Sequence, residues 1–267
     1  MRRVVTRAGA FAGAVLMSAV LGAAGASPAA ARPAAGPATA GGPGFVYGWG
    51  EQFQGSLGPT GATNCNYQAA GVAASPVAIA LPGGAAATGV DAGAGNGFAQ
   101  TADGHAFAWG EDGAGQLGFA APTYQGGTVS GVCSPTQIPA FSGDTAATFE
   151  RIVPAGGQDT IFQTTDGTGY SSGFENGLGA GAAALFAANG DNLSPSPVAD
   201  LLPAGATDIS SSGTETLAVT SGGQIVAGGD GSHGDLGPNA TSSGNGYVTT
   251  VPLPSGEVAS KVVAGPY

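Results

Sequence analysis

Four glycine-rich segments recur along the chain at a nearly constant step: WGEQFQGSLG from Trp49, WGEDGAGQLG from Trp109, SGFENGLGAG from Ser172 and GGDGSHGDLG from Gly228. Their Leu-Gly pairs begin at Leu57, Leu117, Leu178 and Leu236, steps of 60, 61 and 58 residues. A period kept three times makes each copy one supersecondary unit that buries its apolar face against its neighbours. Ser75-Pro76, Ser134-Pro135 and Ser196-Pro197 follow the first three pairs at similar distances, and Val251-Pro252 stands in the fourth. The 51 glycines among 267 residues therefore mark a loop-rich all-β fold rather than a disordered chain.

Three of the segments are preceded by a hairpin pattern: GFAQTADGHAFAWG, TIFQTTDGTGYSSG and TLAVTSGGQIVAGG. Each has an apolar or β-branched run, a turn at Asp103-Gly104, Asp166-Gly167 or Gly222-Gly223, and a second run. Upstream, Ala87 to Gly93, Phe149 to Ala155 and Thr207 to Ser211 are predicted strands, so each unit is a small antiparallel sheet. The string Gly113 to Gly118 fits G-x-G-x-x-G, the glycine pattern of a dinucleotide loop. The other copies do not keep it, Pro122 stands where a phosphate-binding helix would run, and the next acidic residue is Asp144, too far on for a ribose contact. The glycines are instead predicted to permit tight turns and close approach of sheets. The repeat landmarks are Trp49, Gly50, Leu57, Gly58, Trp109, Gly110, Leu117, Gly118, Leu178, Gly179, Leu236 and Gly237, with the leucines filling a buried seam.

The combination of WGEDGAGQLG after ADGHAFAWG, with a Ser-Pro strand start downstream, closely resembles the repeat of the regulator of chromosome condensation family. The resemblance covers about Gly44 to Tyr267 and implies a β-propeller of four-stranded blades. In the third copy Tyr170-Ser171-Ser172 replaces the aromatic-Trp pair, and in the fourth Val226-Ala227-Gly228 does, so both are expected to pack less aromatic surface. Family propellers usually close with seven blades, whereas about four are present here. KVVAGPY matches the first strand of another copy, and GFVYGWG matches the last strand of a hairpin whose first partner is missing. The propeller is thus expected to be incomplete.

Arg2, Arg3 and Arg7 precede an uncharged, small and apolar run from Ala8 to Ala24, with A-x-A sites at Ala24-Gly25-Ala26 and Ala29-Ala30-Ala31. This is the pattern of a secretory signal peptide. The expected organisation is a signal over 1–26, a Pro/Ala/Gly-rich linker over 27–43 and propeller repeats over 44–267. The product is read as secreted, or held at the cell envelope, without stable membrane insertion after cleavage. Cleavage after Ala26 leaves Arg32, Arg151 and Lys261 against 17 carboxylates, a formal charge of −14. Nucleic-acid binding needs a cationic footprint that three scattered residues do not make. Cys65 and Cys133, an even pair in an exported chain, are read as a disulfide, with two separate buried thiols as the alternative.

No catalytic set is legible. Gly169 to Gly173 fits G-x-S-x-G around Ser171, yet the string is a drifted copy of the AFAWG strand, and the two histidines, His105 and His233, lie in turns or glycine loops. Glu111 and Asp112 are read as a solvated turn. His105, His233, Cys65 and Cys133 lack the short spacings of a zinc site. Asn189, Asp191 and Asn192, or Asp230 and Asp235, offer oxygen ligands but do not match a calcium loop. No metal or cofactor is expected.

Between the Leu-Gly and Ser-Pro landmarks each copy carries a polar, irregular connector, about 59–74, 119–133, 180–195 and 238–249, and repeat logic places these on one face. Tyr67, Phe119, Tyr124, Phe186 and Tyr247 are the aromatics they carry, the residue class enriched at protein interfaces. The leading expectation is a secreted, non-catalytic propeller that binds an unknown protein. One exported bacterial branch of the resembled family looks like the protein inhibitors of β-lactamase, which makes inhibition of a secreted enzyme one form of this reading. A structural or cell-envelope module is the second expectation. Guanine-nucleotide exchange, by family analogy alone, is the third, opposed by export and the acidic mature charge.

Overall fold

The computed structural model describes residues 17–21, 44–52, 55–58, 71–121, 123–124, 129–141, 148–155, 159–165, 167–174, 193–199, 205–229, 234, 236–238 and 247–265. Among these the chain is all-β apart from one 3-10 turn at Pro82–Gly84. It divides into two compact units, Met1–Gly110 with Cys133–Gln137, and Glu111–Val132 with Ile138–Tyr267.

In the first unit, β1 (Met17–Leu21), β2 (Phe45–Gln52) and β3 (Gly71–Ile79) form an antiparallel sheet in that order. Next come β4 (Ala87–Ala92), β5 (Asn96–Thr101) and β6 (Ala106–Glu111), a meander continued by β8 (Val129–Gln137). In the second unit β7 (Thr123–Tyr124) pairs with the opening of β8, Thr123 opposite Ser130 and Tyr124 opposite Val129. The third sheet is β9 (Phe149–Ala155), β10 (Asp159–Thr164), β11 (Gly169–Phe174) and β12 (Leu193–Ala199); the fourth is β13 (Asp208–Ser211), β14 (Glu215–Val219), β15 (Ile225–Gly229) and β16 (Tyr247–Val251). Each is a four-stranded antiparallel sheet whose neighbours in sequence are neighbours in space.

The three predicted hairpins close in the same way. Gly104, Gly167 and Gly223 donate their N–H to Thr101, Thr164 and Thr220, and the same threonines donate to His105, Thr168 and Gln224 across the turn. These are three-residue loops ending in a left-handed glycine, a turn whose twist suits the flanking strands. The glycine-rich segments also repeat a turn: Gly58 donates to Gly55, Gly118 to Gly115 and Gly237 to Gly234. The leucines beside them, Leu57, Leu117 and Leu236, are buried as expected, while Leu178 and Gly179 lie outside the described residues. Gly113 to Gly118 is therefore a turn with no helix after it.

Three expectations are corrected. The Ser-Pro landmarks do not start strands. Ser75-Pro76 and Ser196-Pro197 lie inside β3 and β12, where the register slips between Gly48 and Gly50 and between Ser171 and Gly173. Proline has no N–H for the ladder, and β3 and β12 tolerate it because each is an edge strand of its sheet and irregular at that point. The third sheet is also not poor in aromatics, because Phe141, Phe149, Phe162 and Tyr170 cluster with ring centroids 4.8 to 6.0 Å apart. The missing tryptophan is compensated by rings from neighbouring strands. Finally, β2 does not lack its hairpin partner: Met17–Leu21 pairs with it over five positions, from Met17 opposite Trp49 to Leu21 opposite Phe45. The fourth sheet follows expectation, its core cluster being Ala227 and Leu236 with Leu217 and Val251.

Repeats are tied to one another through the Trp109 position. Trp109 Nε1 donates to the Ser56 carbonyl of the preceding glycine-rich segment at 2.9 Å, a buried bond. Ser172, its counterpart one repeat later, donates from Oγ to Gly115 O, also buried. Gly228 takes the fourth position and has no side chain to offer.

The glycine that follows in the same strand is fixed by backbone proximity. Gly110 and Gly229 have φ of 101° and 122°, and a Cβ there would lie 2.3 Å from Gly95 O and 2.4 Å from Thr214 O. Gly110→Ala and Gly229→Ala should each cost about 2 kcal/mol or more, since strained backbone and clash combine. Gly113→Ala, whose Cβ would meet only Glu111 Oε1 at 3.4 Å, should stay within about 0.5 kcal/mol. Urea denaturation of the three variants checks the contrast, and equal losses at Gly110 and Gly113 would refute it.

Candidate functional site

The structure distributes the predicted binding aromatics unevenly. Phe119 is half-buried just past the Gly115–Gly118 turn. Tyr124 belongs to β7 and Tyr247 to β16, opposite Gly229, so these two stand on strands rather than in irregular connectors. The connectors are shorter than expected, because 71–74, 129–133, 193–195 and 247–249 already run as strand. Tyr67 and Phe186 lie outside the described residues, as do Cys65, His233 and the calcium candidates Asn189, Asp191, Asn192, Asp230 and Asp235. Cys133 is half-buried on β8. Among the described residues no group of three metal-ligating side chains converges, and no helix is long and apolar enough to cross a membrane.

Ser171 is fully buried within β11, paired with Ile161 on one side and Val198 on the other. It sits in a strand interior rather than at a strand-to-helix elbow. His105 is exposed after its hairpin turn, with Nδ1 2.9 Å from Asp103 Oδ2. Thr101 donates its hydroxyl to Asp103, and this bond chiefly holds the Asp103 carboxyl below its ordinary value of 3.8.

Asp112 corrects the solvated-turn reading. It is 4% exposed, and its two oxygens accept from the backbone N–H of Leu117 at 2.8 Å and of Ala121 at 3.2 Å. The carboxylate thus closes the connector's first loop from inside, assisted by Gln116 Oε1, which accepts from Ala114 N. Burial pushes the Asp112 carboxyl up to about 7; the two N–H donors oppose the rise and the Glu111 charge adds to it. The legible signal was an aspartate opening a glycine-rich turn, where its side chain competes for backbone donors.

A second charged feature was not foreseen. On β9 and β13, the first strands of consecutive sheets, Arg151 Nη1 donates to Asp208 Oδ1 at 3.2 Å and Nη2 donates to Thr207 O at 3.0 Å. Asp208 Oδ2 accepts from Val262 N and Ser210 Oγ from Ala264 N, both at 3.0 Å. The segment that resembles another first strand is therefore fastened to β13 by side chains.

No protein-family model and no curated protein matches the chain. Solved structures do. Human WBSCR16 is 16% identical, with 78% of this chain and 47% of that one covered and a TM-score of 0.57. Prp20p from Saccharomyces cerevisiae, described with its binding to Gsp1p and histones, gives 18%, 80%, 47% and 0.59. Yeast RCC1 (Prp20) bound to Kap60 gives 18%, 80%, 46% and 0.58. The chain is similar to these in fold, an all-β propeller of antiparallel four-stranded blades, and spans about half their length.

A raised native pKa means that the folded protein holds the Asp112 proton more tightly than the unfolded chain. The contribution of Asp112 to stability should be fully present below about 4, fall as pH rises to about 7, and level off above. In urea titrations from pH 4 to 8, wild type should lose more stability across that window than Asp112→Asn. Parallel pH profiles would refute the assignment.

Proposed function

We propose that this chain is an exported, non-catalytic β-propeller module that binds another protein through its connectors. The carrying observation is an aromatic between the Leu-Gly pair and the strand proline of every repeat, Tyr67, Phe119, Tyr124, Phe186 and Tyr247, with Tyr124 and Tyr247 on the strands that border their connectors. Around it, side chains that could do chemistry are committed to the fold, Ser171 and Ser172 in a buried strand and Asp112 to its own loop. Propellers of this fold are described with protein partners, Prp20p for its binding properties to Gsp1p and histones and yeast RCC1 bound by Kap60, which supports the binding class. Export rests on the basic, apolar and A-x-A pattern of residues 1–26. In this reading the mature charge of −14 steers a basic protein partner, an extracellular enzyme to be blocked being the sharpest form. Cys65 and Cys133 form a disulfide that staples the first connector to β8.

Two measurements test this. The exported protein, immobilised, should retain a defined partner from culture supernatant. Phe119→Ala combined with Tyr124→Ala should reduce retention about tenfold while leaving the melting temperature within a few degrees; retention unchanged by the substitutions would count against the connector face. Without reductant, neither cysteine should react with iodoacetamide under denaturing conditions. Alkylation of both thiols would exclude the staple.

A further inference from the structure

Met17–Leu21 is used twice. In the structure it is β1, paired with β2 over five residues; in the export reading it is the middle of the apolar run that is cut away after Ala26. Both uses cannot persist in one mature molecule. Once the leader is removed, the β2 edge that faced β1 is left with unpaired N–H and C=O groups, while its other edge stays bonded to β3 from Val46 opposite Ile79 to Gln52 opposite Gly71. Such an edge is a template for another strand.

The other three blades show what the vacated place accepts. β1 precedes the glycine-rich strand β2 as β5 precedes β6, β10 precedes β11 and β14 precedes β15. In those positions the chain is buried on both faces: five of six residues of β5, all six of β10 and four of five of β14. On β2 itself burial alternates, with Val46 and Gly48 buried and Phe45, Tyr47 and Trp49 half-buried, so a strand fitting beside it must be extended, free of proline and without exposed charge, and small or apolar on the face it shares with Val46 and Gly48. MSAVL has that composition. The Pro/Ala/Gly-rich stretch that follows the cleavage site does not, because Pro28, Pro33, Pro37 and Pro43 withhold ladder donors and Arg32 carries a charge.

We propose that signal removal opens a strand-addition site on β2, and that its occupant in the mature protein is an uncharged, small and apolar extended segment of another polypeptide. The inference rests on the export reading above. Backbone pairing along Phe45–Trp49 would supply affinity, and the buried face of β2 at Val46 and Gly48 would supply selectivity.

The probe is a synthetic peptide of residues 16–22, LMSAVLG, with terminal lysines for solubility. Binding is read from the emission of Trp49, which lies on β2, whereas Trp109 is fully buried elsewhere. The exported protein should bind the peptide one-to-one, about tenfold or more tighter than the full 1–267 chain, whose slot is filled. Of two adjacent residues in an antiparallel strand, one aims its N–H at the given neighbour. Ala19→Pro with Val20→Pro in the 1–267 chain should therefore open the slot and confer peptide binding. Absence of binding to both the exported protein and this variant, or equal binding by unmodified 1–267, would overturn the proposal. So would sedimentation showing that the exported protein fills the edge with a second copy that the peptide dissociates. If the exported chain is unfolded alone, recovery of its near-ultraviolet circular dichroism on peptide addition supports the site, and no recovery overturns it. N-terminal sequencing separates the two readings: a retained Met17–Leu21 refutes export cleavage, while the proline variant still reports on the slot.

Discussion

The repeat depends on a place where two backbones come too close for any side chain. At the end of the third strand of a blade the chain passes within 2.3 to 2.4 Å of where a Cβ would sit, at Gly110 against Gly95 O and at Gly229 against Thr214 O. The same glycines hold a positive φ that other residues rarely adopt. From that crossing the strand leaves the sheet and enters the glycine-rich segment, whose turn delivers Leu57, Leu117 or Leu236 into the core. The crossing, the turn and the leucine form one device, which is why they recur together while other residues drift.

The drift itself is informative about energetics. Trp109 and Ser172 differ greatly in volume, yet each sends a donor to a carbonyl in the preceding glycine-rich segment. What these two repeats keep, and the fourth with Gly228 does not, is a side-chain donor to a buried carbonyl, and a hydroxyl supplies it as an indole does. The lost aromatic volume reappears as Phe141, Phe149 and Phe162 around Tyr170, so the core is filled from other strands. Packing constrains total volume and shape more tightly than the identity of one contributor.

Much of the fold was legible because its signals are local. A turn requiring a left-handed glycine and a leucine at fixed spacing leave a periodic mark, and β4, β9 and β13 fell within a residue of their predicted ranges. What escaped depends on contacts across sequence. Asp112 looked solvated beside Glu111, because an aspartate opening a glycine-rich turn signals a bond to nearby backbone but not that its carboxylate is buried against Leu117 and Ala121. The Arg151–Asp208 pair spans 57 positions and shows itself only once first strands are placed in order. Likewise β1 was hidden by its own composition: an uncharged apolar run serves a signal core and a paired strand equally well, and only pairing discriminates them.

The same burial pattern argues where ligands can be met. Second strands and the third strands β6 and β11 are buried through most of their length, and Thr216 Oγ1, Ser172 Oγ and Gln163 Nε2 on them are spent on hydrogen bonds within or between repeats. First strands are different, since β4 and β13 keep most residues half-exposed, and there charge pairs and side-chain caps on the backbone appear. Each described glycine-rich turn ends where a connector begins, and in the second repeat Asp112 fastens that root through Leu117 and Ala121. The crossing glycines and buried leucines that fix a blade are separate positions from the connector residues, so connector residues can vary without altering the crossings. That separation of scaffold from surface is what a binding module requires.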